Sequence, residues 1–310
     1  MSEVKKRTTI GGQALIEGIL MRGPGKTAIV VRKPDGEMEE KIEKVGTGSH
    51  SAFWKLPFFR GMAGLWDSMK YGISALEYSA SFIEDDDDYE PSRFEKWLER
   101  KVGSKKLESI MMTFALALGI AMPIGLFILL PTVVAGFFTF AKSNILKNAF
   151  EGILRIIIFL GFVIITSMQK DVHRTYMYHG AEHKTIFCYE KGLPLTVENV
   201  RKQSRFHPRC GTSFLFVVII ISTLITSLFT WKNVLTRLVI RLLLVPVIVG
   251  VSYEINRFVG RHDNLLSKIL TFPGLFLQRF TTVEPDDSMI EVAIRSIEAV
   301  IPETEGEDRW

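Results

Sequence analysis

Four apolar runs in the middle of this 310-residue chain restrict its fold more than any other feature. About 20 consecutive apolar residues cross the hydrocarbon core of a bilayer as an α-helix, the form in which a segment satisfies its own backbone polar groups. The runs are Ile110 to Ala141, Phe150 to Met168, Thr212 to Trp231 and Val234 to Glu254. The first contains Pro123 and Pro131 and is long for one straight helix but short for two plus a turn. It predicts one tilted or kinked span, with a broken re-entrant element as the alternative. The expected fold class is mainly α: a polytopic helical membrane protein with about four transmembrane helices and a small α+β cytoplasmic N-terminal domain.

Lysine and arginine in the loops set the expected orientation. Basic residues cluster before the first run (Arg93, Lys96, Arg100, Lys101, Lys105, Lys106), between the second and third (eight, from Lys170 to Arg209) and after the fourth (Arg257, Arg261, Lys268). The other two loops carry only Lys142, Lys147 and Lys232. Four spans put all three basic segments on one side, so both termini are expected in the cytoplasm; a first run that crosses twice would break this parity. The divisions along the chain are then 1–108 (N-terminal domain), 109–254 (membrane core, with a His-rich loop 169–211) and 255–310 (cytoplasmic or interfacial helices).

Composition agrees with a membrane protein: 47% hydrophobic residues and a mean hydropathy of +0.19, despite 23% charged residues. The polar first hundred residues lack a charged-then-apolar leader, so no cleaved signal peptide is expected. A net charge of +4 does not point to nucleic acid. Two cysteines, Cys188 and Cys210, cannot form a disulfide framework and fit a reduced compartment with metal ligation open to them.

Near the N-terminus, Thr27–Arg32 and Glu37–Val45 flank Lys33-Pro34-Asp35-Gly36 and predict a β-hairpin. Met62, Leu65, Trp66, Met69, Ile73 and Leu76 recur at helical spacing and predict an amphipathic helix, lying on a membrane surface or packed within the soluble domain. The acidic run Glu84–Asp88 reads as a solvated linker. Leu265–Phe280, interrupted by Pro273-Gly274, reads as interfacial, and Met289–Ile301 as a final amphipathic helix capped by Asp286, Asp287 or Ser288.

The chemistry-bearing segment is His179-Gly180-Ala181-Glu182-His183. Histidines four apart on a helix share a face, so both can reach one ion, and the pattern is that of the inverted zinc hydrolases, H-x-x-E-H. Glu182, about 100° around the helix from His183, is placed to be a general base for water or a partner behind the ligands. A histidine pair alone commonly makes only ordinary hydrogen bonds, but His207 and Cys210 crowd the same loop. A catalytic zinc takes three protein ligands and leaves one position open, whereas a structural zinc is closed by four. Glu254, at the end of the fourth run, or His207 would complete an open site; closure by both His207 and Cys210 would make a staple. His262, Asp263, Glu17 and Arg22 are further candidates, and His173 is peripheral. Gln13 lies with Glu17 and Arg22 in a glycine-rich segment read as tight packing rather than a phosphate loop. Cys188 reads as a small buried residue. Glu151, Arg155, Arg237 and Arg241 are expected to snorkel or pair between helices; lining a cavity, they would suggest transport.

Several of these segments resemble the YqhQ-type bacterial membrane proteins. The residues concerned are Gly11-Gly12-Gln13-Ala14, Glu17-Gly18 and Met21-Arg22-Gly23-Pro24; Tyr178-His179-Gly180-Ala181-Glu182-His183-Lys184-Thr185; Phe206-His207-Pro208-Arg209-Cys210-Gly211-Thr212-Ser213-Phe214; and Thr281-Thr282 with Glu284-Pro285. The resemblance covers nearly the whole chain without departure from the pattern. It implies a bacterial inner-membrane protein of an uncharacterised family whose members are predicted, on the strength of the histidines, to be metal-dependent enzymes, and it implies no reaction.

The expectation is a divalent metal, zinc by preference, held at the cytoplasmic membrane face by His179, His183 and His207 or Glu254, with Glu182 activating water for hydrolysis. Expected partners are membrane lipids and a membrane-embedded peptide or lipid-linked substrate; no nucleic acid is expected, and a homo-oligomer is left open. The rival readings are a metal-stapled scaffold or assembly factor and, third, an ion or small-molecule transporter.

Overall fold

The structure is a computed structural model that describes residues 6–45, 51–82, 93–137, 144–229, 234–262, 264–304 and 306–309. The acidic run Glu84–Asp88, candidate ligand Asp263 and the end of the third apolar run at Trp231 lie outside the described residues. The chain forms two compact units, one from 1–83, 160–225 and 243–310, the other from 84–159 and 226–242. Compactness thus divides the chain differently from its sequence order: both ends and the His-rich segment share one unit.

That first unit is built on an antiparallel meander of β1 (Gly11–Leu15), β2 (Gly18–Arg22), β3 (Lys26–Arg32) and β4 (Met38–Lys44), in that spatial order. The predicted hairpin is β3–β4, in register from Lys26 opposite Lys44 to Arg32 opposite Met38. β1 and β2 form a second hairpin within the glycine-rich segment, where side-chain periodicity gave no strand signal. Alternation along β2 and β3 divides the core. Ile19, Met21, Ala28 and Val30 face one way; Leu20, Ile29 and Val31 face the other, with Leu15 of β1. Buried on both faces, these strands lack the polar alternation of a half-exposed sheet.

The second face is covered by Tyr71, Ala75 and Tyr78 of helix α1 (Phe59–Ala80). The unit's first helix therefore does pack on the sheet, but through small residues. The large apolar residues that predicted its amphipathic character point outward: Leu65, Trp66, Met69, Ile73 and Leu76 are all exposed.

The second unit holds α2 (Arg93–Val102), α3 (Ser104–Ile124) and α4 (Leu130–Phe137), with the N-terminal parts of α5 (Asn144–Ser167) and α9 (Val234–Arg261). A π-turn, Gly125–Leu129, joins α3 to α4, so the described part of the first apolar run is continuous helix up to Phe137. Pro131 cannot donate a backbone hydrogen bond, and the widened turn, in which Leu130 N–H donates to the Gly125 carbonyl, sits directly before it. Glu151 and Arg241 are buried and ion-paired to each other, Arg155 lies 3.3 Å from Glu151, and Thr132 donates to Glu151 at 2.8 Å. Glu151 and Arg241 thus pair between α5 and α9, while Arg155 meets Glu151 along α5; the side chain of Arg237 lies outside the described residues.

Among the described residues, three helices are long and apolar enough to cross a membrane: Thr113–Phe137, Leu146–Ser167 and Val239–Arg261, of 25, 22 and 23 residues. The third expected span is shorter. It is α8 (Gly211–Ser227), 17 residues among the described ones.

The His-rich segment is not a loop. It is α6 (Lys170–Glu190), followed by the short α7 (Val197–Arg201), and it packs with α11 (Asp287–Glu298) against the first face of the sheet. Asp286 caps α11 by accepting from Met289 N–H at 2.9 Å, as its sequence predicts. α10 (Leu265–Thr281) continues through Pro273. The segment after it crosses α6 closely: Val283 N–H donates to the Tyr176 carbonyl at 2.9 Å, and any Cβ at Gly180 would collide with the Val283 carbonyl oxygen. The two ends also meet: Thr8 Oγ1 donates to Asp308 at 2.7 Å, and Thr8 N–H to Glu190 at 2.9 Å.

Because that collision is with backbone, Gly180→Ala is expected to lower the unfolding free energy by about 2 kcal/mol or more, read as a fall in Tm of the detergent-purified protein. Ile290→Ala, at a fully buried position of α11, is expected to cost about 2–5 kcal/mol by the same measurement.

Candidate metal centre

His179 and His183 lie one turn apart on α6 with ring centroids 4.3 Å apart. Each imidazole is oriented by a backbone carbonyl. His179 Nδ1 donates to Thr281 O at 2.7 Å, and His183 Nδ1 to Arg205 O at 2.6 Å. Both rings therefore present the Nε2 lone pair away from those carbonyls, the arrangement typical of metal-binding histidines. His179 Nε2 is 3.2 Å from Cys210 Sγ. His183 Nε2 is buried and makes no hydrogen bond among the described residues. One ligand atom from each of His179, His183 and Cys210 lies within 4.8 Å of the others.

Glu182 is buried beside this trio. Its Oε1 accepts from the Gly12 N–H of β1 at 3.0 Å, while Oε2 makes no hydrogen bond among the described residues. Gly12 is needed for that approach: a Cβ there would lie 2.6 Å from the Leu20 carbonyl oxygen and 3.1 Å from Glu182 Cδ. Burial pushes the Glu182 carboxyl above its ordinary range, against the pull of His179 and His183. Burial would likewise raise the Cys210 thiol, but the two imidazoles hold it well below the usual cysteine value. Burial disfavours charge on His179, yet the adjacent Cys210 sulfur outweighs it and lifts the imidazole to about 9. Cys210 Sγ also lies 3.1 Å from Thr212 Oγ1 and accepts from Thr212 N–H at 3.4 Å.

A cavity of about 520 Å³ opens onto this group. Glu182, His183 and Cys210 form part of its wall, and Gly12, Gln13 and Arg22 of the sheet and Ser68 and Tyr71 of α1 are among the residues that line it elsewhere.

Other sequence candidates fall elsewhere. Glu254 does not join the trio: it is ion-paired to Arg60 and accepts from Phe58 N–H at 3.1 Å. His207 lines the cavity but stands behind His183, its ring centroid 5.6 Å away and its Nε2 3.3 Å from Glu190. Burial drops His207 to about 4. Its backbone is clamped by Gln278, which accepts from His207 N–H at 2.8 Å and donates to its carbonyl at 2.7 Å. Glu17 does not face the trio; it is ion-paired to Arg174 and takes a hydrogen bond from Tyr178 OH at 3.2 Å. Arg22 lines the cavity, 3.8 Å from Asp67. His262 is exposed, stacked on Phe258, and His173 is exposed on α6. Cys188 is a buried core residue, as its sequence context suggests.

Sequence reasoning missed the groups that make the trio a site: the carbonyls of Thr281 and Arg205, the Gly12 N–H, and the buried Glu190, ion-paired to Arg209. Backbone groups have no side-chain signature, although Gly11-Gly12 and Thr281-Thr282 belong to the segments that carry the family resemblance.

Comparison with known proteins agrees with that resemblance. The family described as "Protein of unknown function (DUF1385)" matches residues 56–303. The chain is 33% identical over 308 residues to "Uncharacterized protein YqhQ" of Bacillus subtilis (strain 168), covering 97% of this chain and 95% of that protein. No solved structure matches. An alignment over nearly the full length of both proteins, with the family match across most of the chain, makes this protein a member of the DUF1385 family.

Proposed function

We propose that this is a metal-dependent membrane hydrolase whose centre is held by His179, His183 and Cys210, at the cytoplasmic face of a bacterial inner membrane. The observation that carries the reading is a three-donor cluster, two imidazoles and a thiol, with both imidazoles fixed by carbonyls and the cluster bordering a cavity. This donor set fits zinc, which takes nitrogen and sulfur ligands. It also favours an open site over a staple, because His207, the fourth donor a staple needs, is directed at Glu190.

When bound, the metal would polarise a substrate carbonyl and activate water. The rest falls to the chain. Glu182 Oε2 takes the proton from the attacking water and returns it to the leaving group, while the Gly12 N–H holds Oε1 in place. The second nitrogens of both histidines stay bonded to carbonyls, keeping the ligand lone pairs aimed inward. The walls from the sheet and α1 limit access of bulk water.

Membrane placement is supported by the three long helices, which carry mean hydropathies of 2.3, 2.2 and 1.7 with 0%, 22% and 28% of those windows buried. Apolar surface of that extent is not stable against water. With α8 as a fourth crossing, the loop charges support a topology with both termini in the cytoplasm. The site lies next to helix ends: α6 begins three residues after α5 stops, and Cys210 directly precedes α8. A membrane-embedded peptide or a lipid-linked molecule is the substrate class that suits this position.

Metal analysis of the purified protein is the primary test. Wild type is expected to carry a stoichiometric metal, and His179→Ala combined with His183→Ala to lose it; equal, substoichiometric metal in both would sink the reading. Cys210→Ala is expected to lose metal, while Glu254→Gln keeps it, with a stability change of at most about 1 kcal/mol for loss of a part-exposed ion pair.

Glu182→Gln separates enzyme from scaffold. A general base contributes roughly 10²–10⁴-fold to rate. The variant is therefore expected to keep metal and Tm yet fail to complement a deletion of the gene. Full complementation would favour the scaffold.

A further inference from the structure

α1 and α10 are built inside out. α1 buries Gly61, Ala63, Gly72, Ala75 and Ser79, whereas Leu65, Trp66, Met69, Ile73 and Leu76 are 38–69% exposed. α10 buries Ser267, Thr271, Gly274, Gln278 and Thr281 along with Leu277, whereas Leu265, Leu266, Ile269, Phe272 and Phe276 are 42–74% exposed. In each helix the exposed residues recur at spacings of one, three and four, forming a single continuous stripe. A helix in water puts small and polar residues outside and large apolar ones inside. Two helices of one unit reverse this.

We propose that both stripes lie in the headgroup–acyl boundary of the leaflet that α9 leaves, so that the unit carrying the metal centre rests on the bilayer through two in-plane helices. Three observations select lipid as the occupant. First, α1 is fastened to the second half of the apolar helix Val239–Arg261: Phe58 packs against Gly250, Gly61 fits against Tyr253, and Arg60 is paired with Glu254. Phe58 adopts a left-handed backbone (φ 74°) at this junction, and its N–H is held by Glu254. Second, α10 starts four residues after α9 ends, so its stripe begins where the apolar helix stops. Third, Leu265–Thr281 contains Lys268 and Arg279 and no acidic residue, and both cations are exposed. A basic helix with an apolar face suits anionic headgroups. α1 also contributes Ser68 and Tyr71 to the cavity wall, so the cavity that borders Cys210 and Glu182 is walled by a helix seated in the leaflet.

This rests on reading Val239–Arg261 as a span, and the test keeps the two apart. Single cysteines I73C and L266C are spin-labelled in the full chain reconstituted into liposomes containing anionic lipid. L243C, on α9, is the span reference and D35C, at the hairpin tip, the water reference; labelled parent protein corrects for Cys188 and Cys210. The expected result is an oxygen-to-nickel-chelate accessibility ratio several-fold above that of D35C at I73C, L266C and L243C alike. A chelate-accessible label at I73C or L266C with a lipid profile at L243C would overturn the docking alone. A label closed to both reagents at either stripe would also overturn it, because protein, such as a second copy, would then cover the face. A water profile at L243C would remove the span, and the docking with it.

Discussion

The burial of α6, a helix too polar to be buried for hydrophobic reasons, is the constraint on which the rest of the first unit depends. Its middle and end place Glu182, His183, Lys184, Thr185 and Glu190 out of water. Each such group is costly unless a partner meets it. The fold supplies those partners from distant parts of the chain: the Gly12 N–H for Glu182, the Arg205 carbonyl for His183, the Arg201 carbonyl and Glu284 for Lys184, and Arg209 with Thr8 for Glu190. The sheet, the segment 201–210 and the strand-like passage after α10 converge on one helix because that helix must be satisfied from every side.

The same requirement explains why the site's composition differs from the one its sequence suggests. Glu254 was a reasonable third ligand by topology, since it stands at the end of the fourth apolar run of the sequence. A carboxylate there is satisfied at once by Arg60, five residues before the stripe of α1, and so has no reason to reach the histidines. His207 is drawn the other way. Glu190 and Gln278 fix its ring and backbone, leaving Cys210, three residues on, beside His179. The sequence placed both His207 and Cys210 in the vicinity; which of them faces the pair is decided by a buried carboxylate 17 residues earlier.

The family segments acquire separate physical roles in this arrangement. The glycines at the start are the close approach of β1 to Glu182. The glycine between the histidine and glutamate of α6 is the crossing point of the Thr281–Pro285 passage, which carries the carbonyl that orients His179. Stretches nearly 270 residues apart in sequence thus meet around a few ångströms of α6, and that is why they read as one signature although none is adjacent to another.

The sequence by itself determined the elements whose signals are local: the long apolar helices, the β3–β4 hairpin around Lys33-Pro34-Asp35-Gly36, the capped α11, and the one-turn spacing of His179 and His183. Each depends on side-chain periodicity, turn chemistry or capping over a few residues. Only the tertiary structure decided that the His-rich stretch is a buried helix, that β1 and β2 are strands, that Cys210 rather than Glu254 or His207 joins the histidines, and that α1 turns its large residues outward. These depend on which distant groups compete for the same partner: buried carboxylates take arginines and backbone donors, and small residues allow the closest helix–sheet contact. No window of sequence contains both members of such a pair.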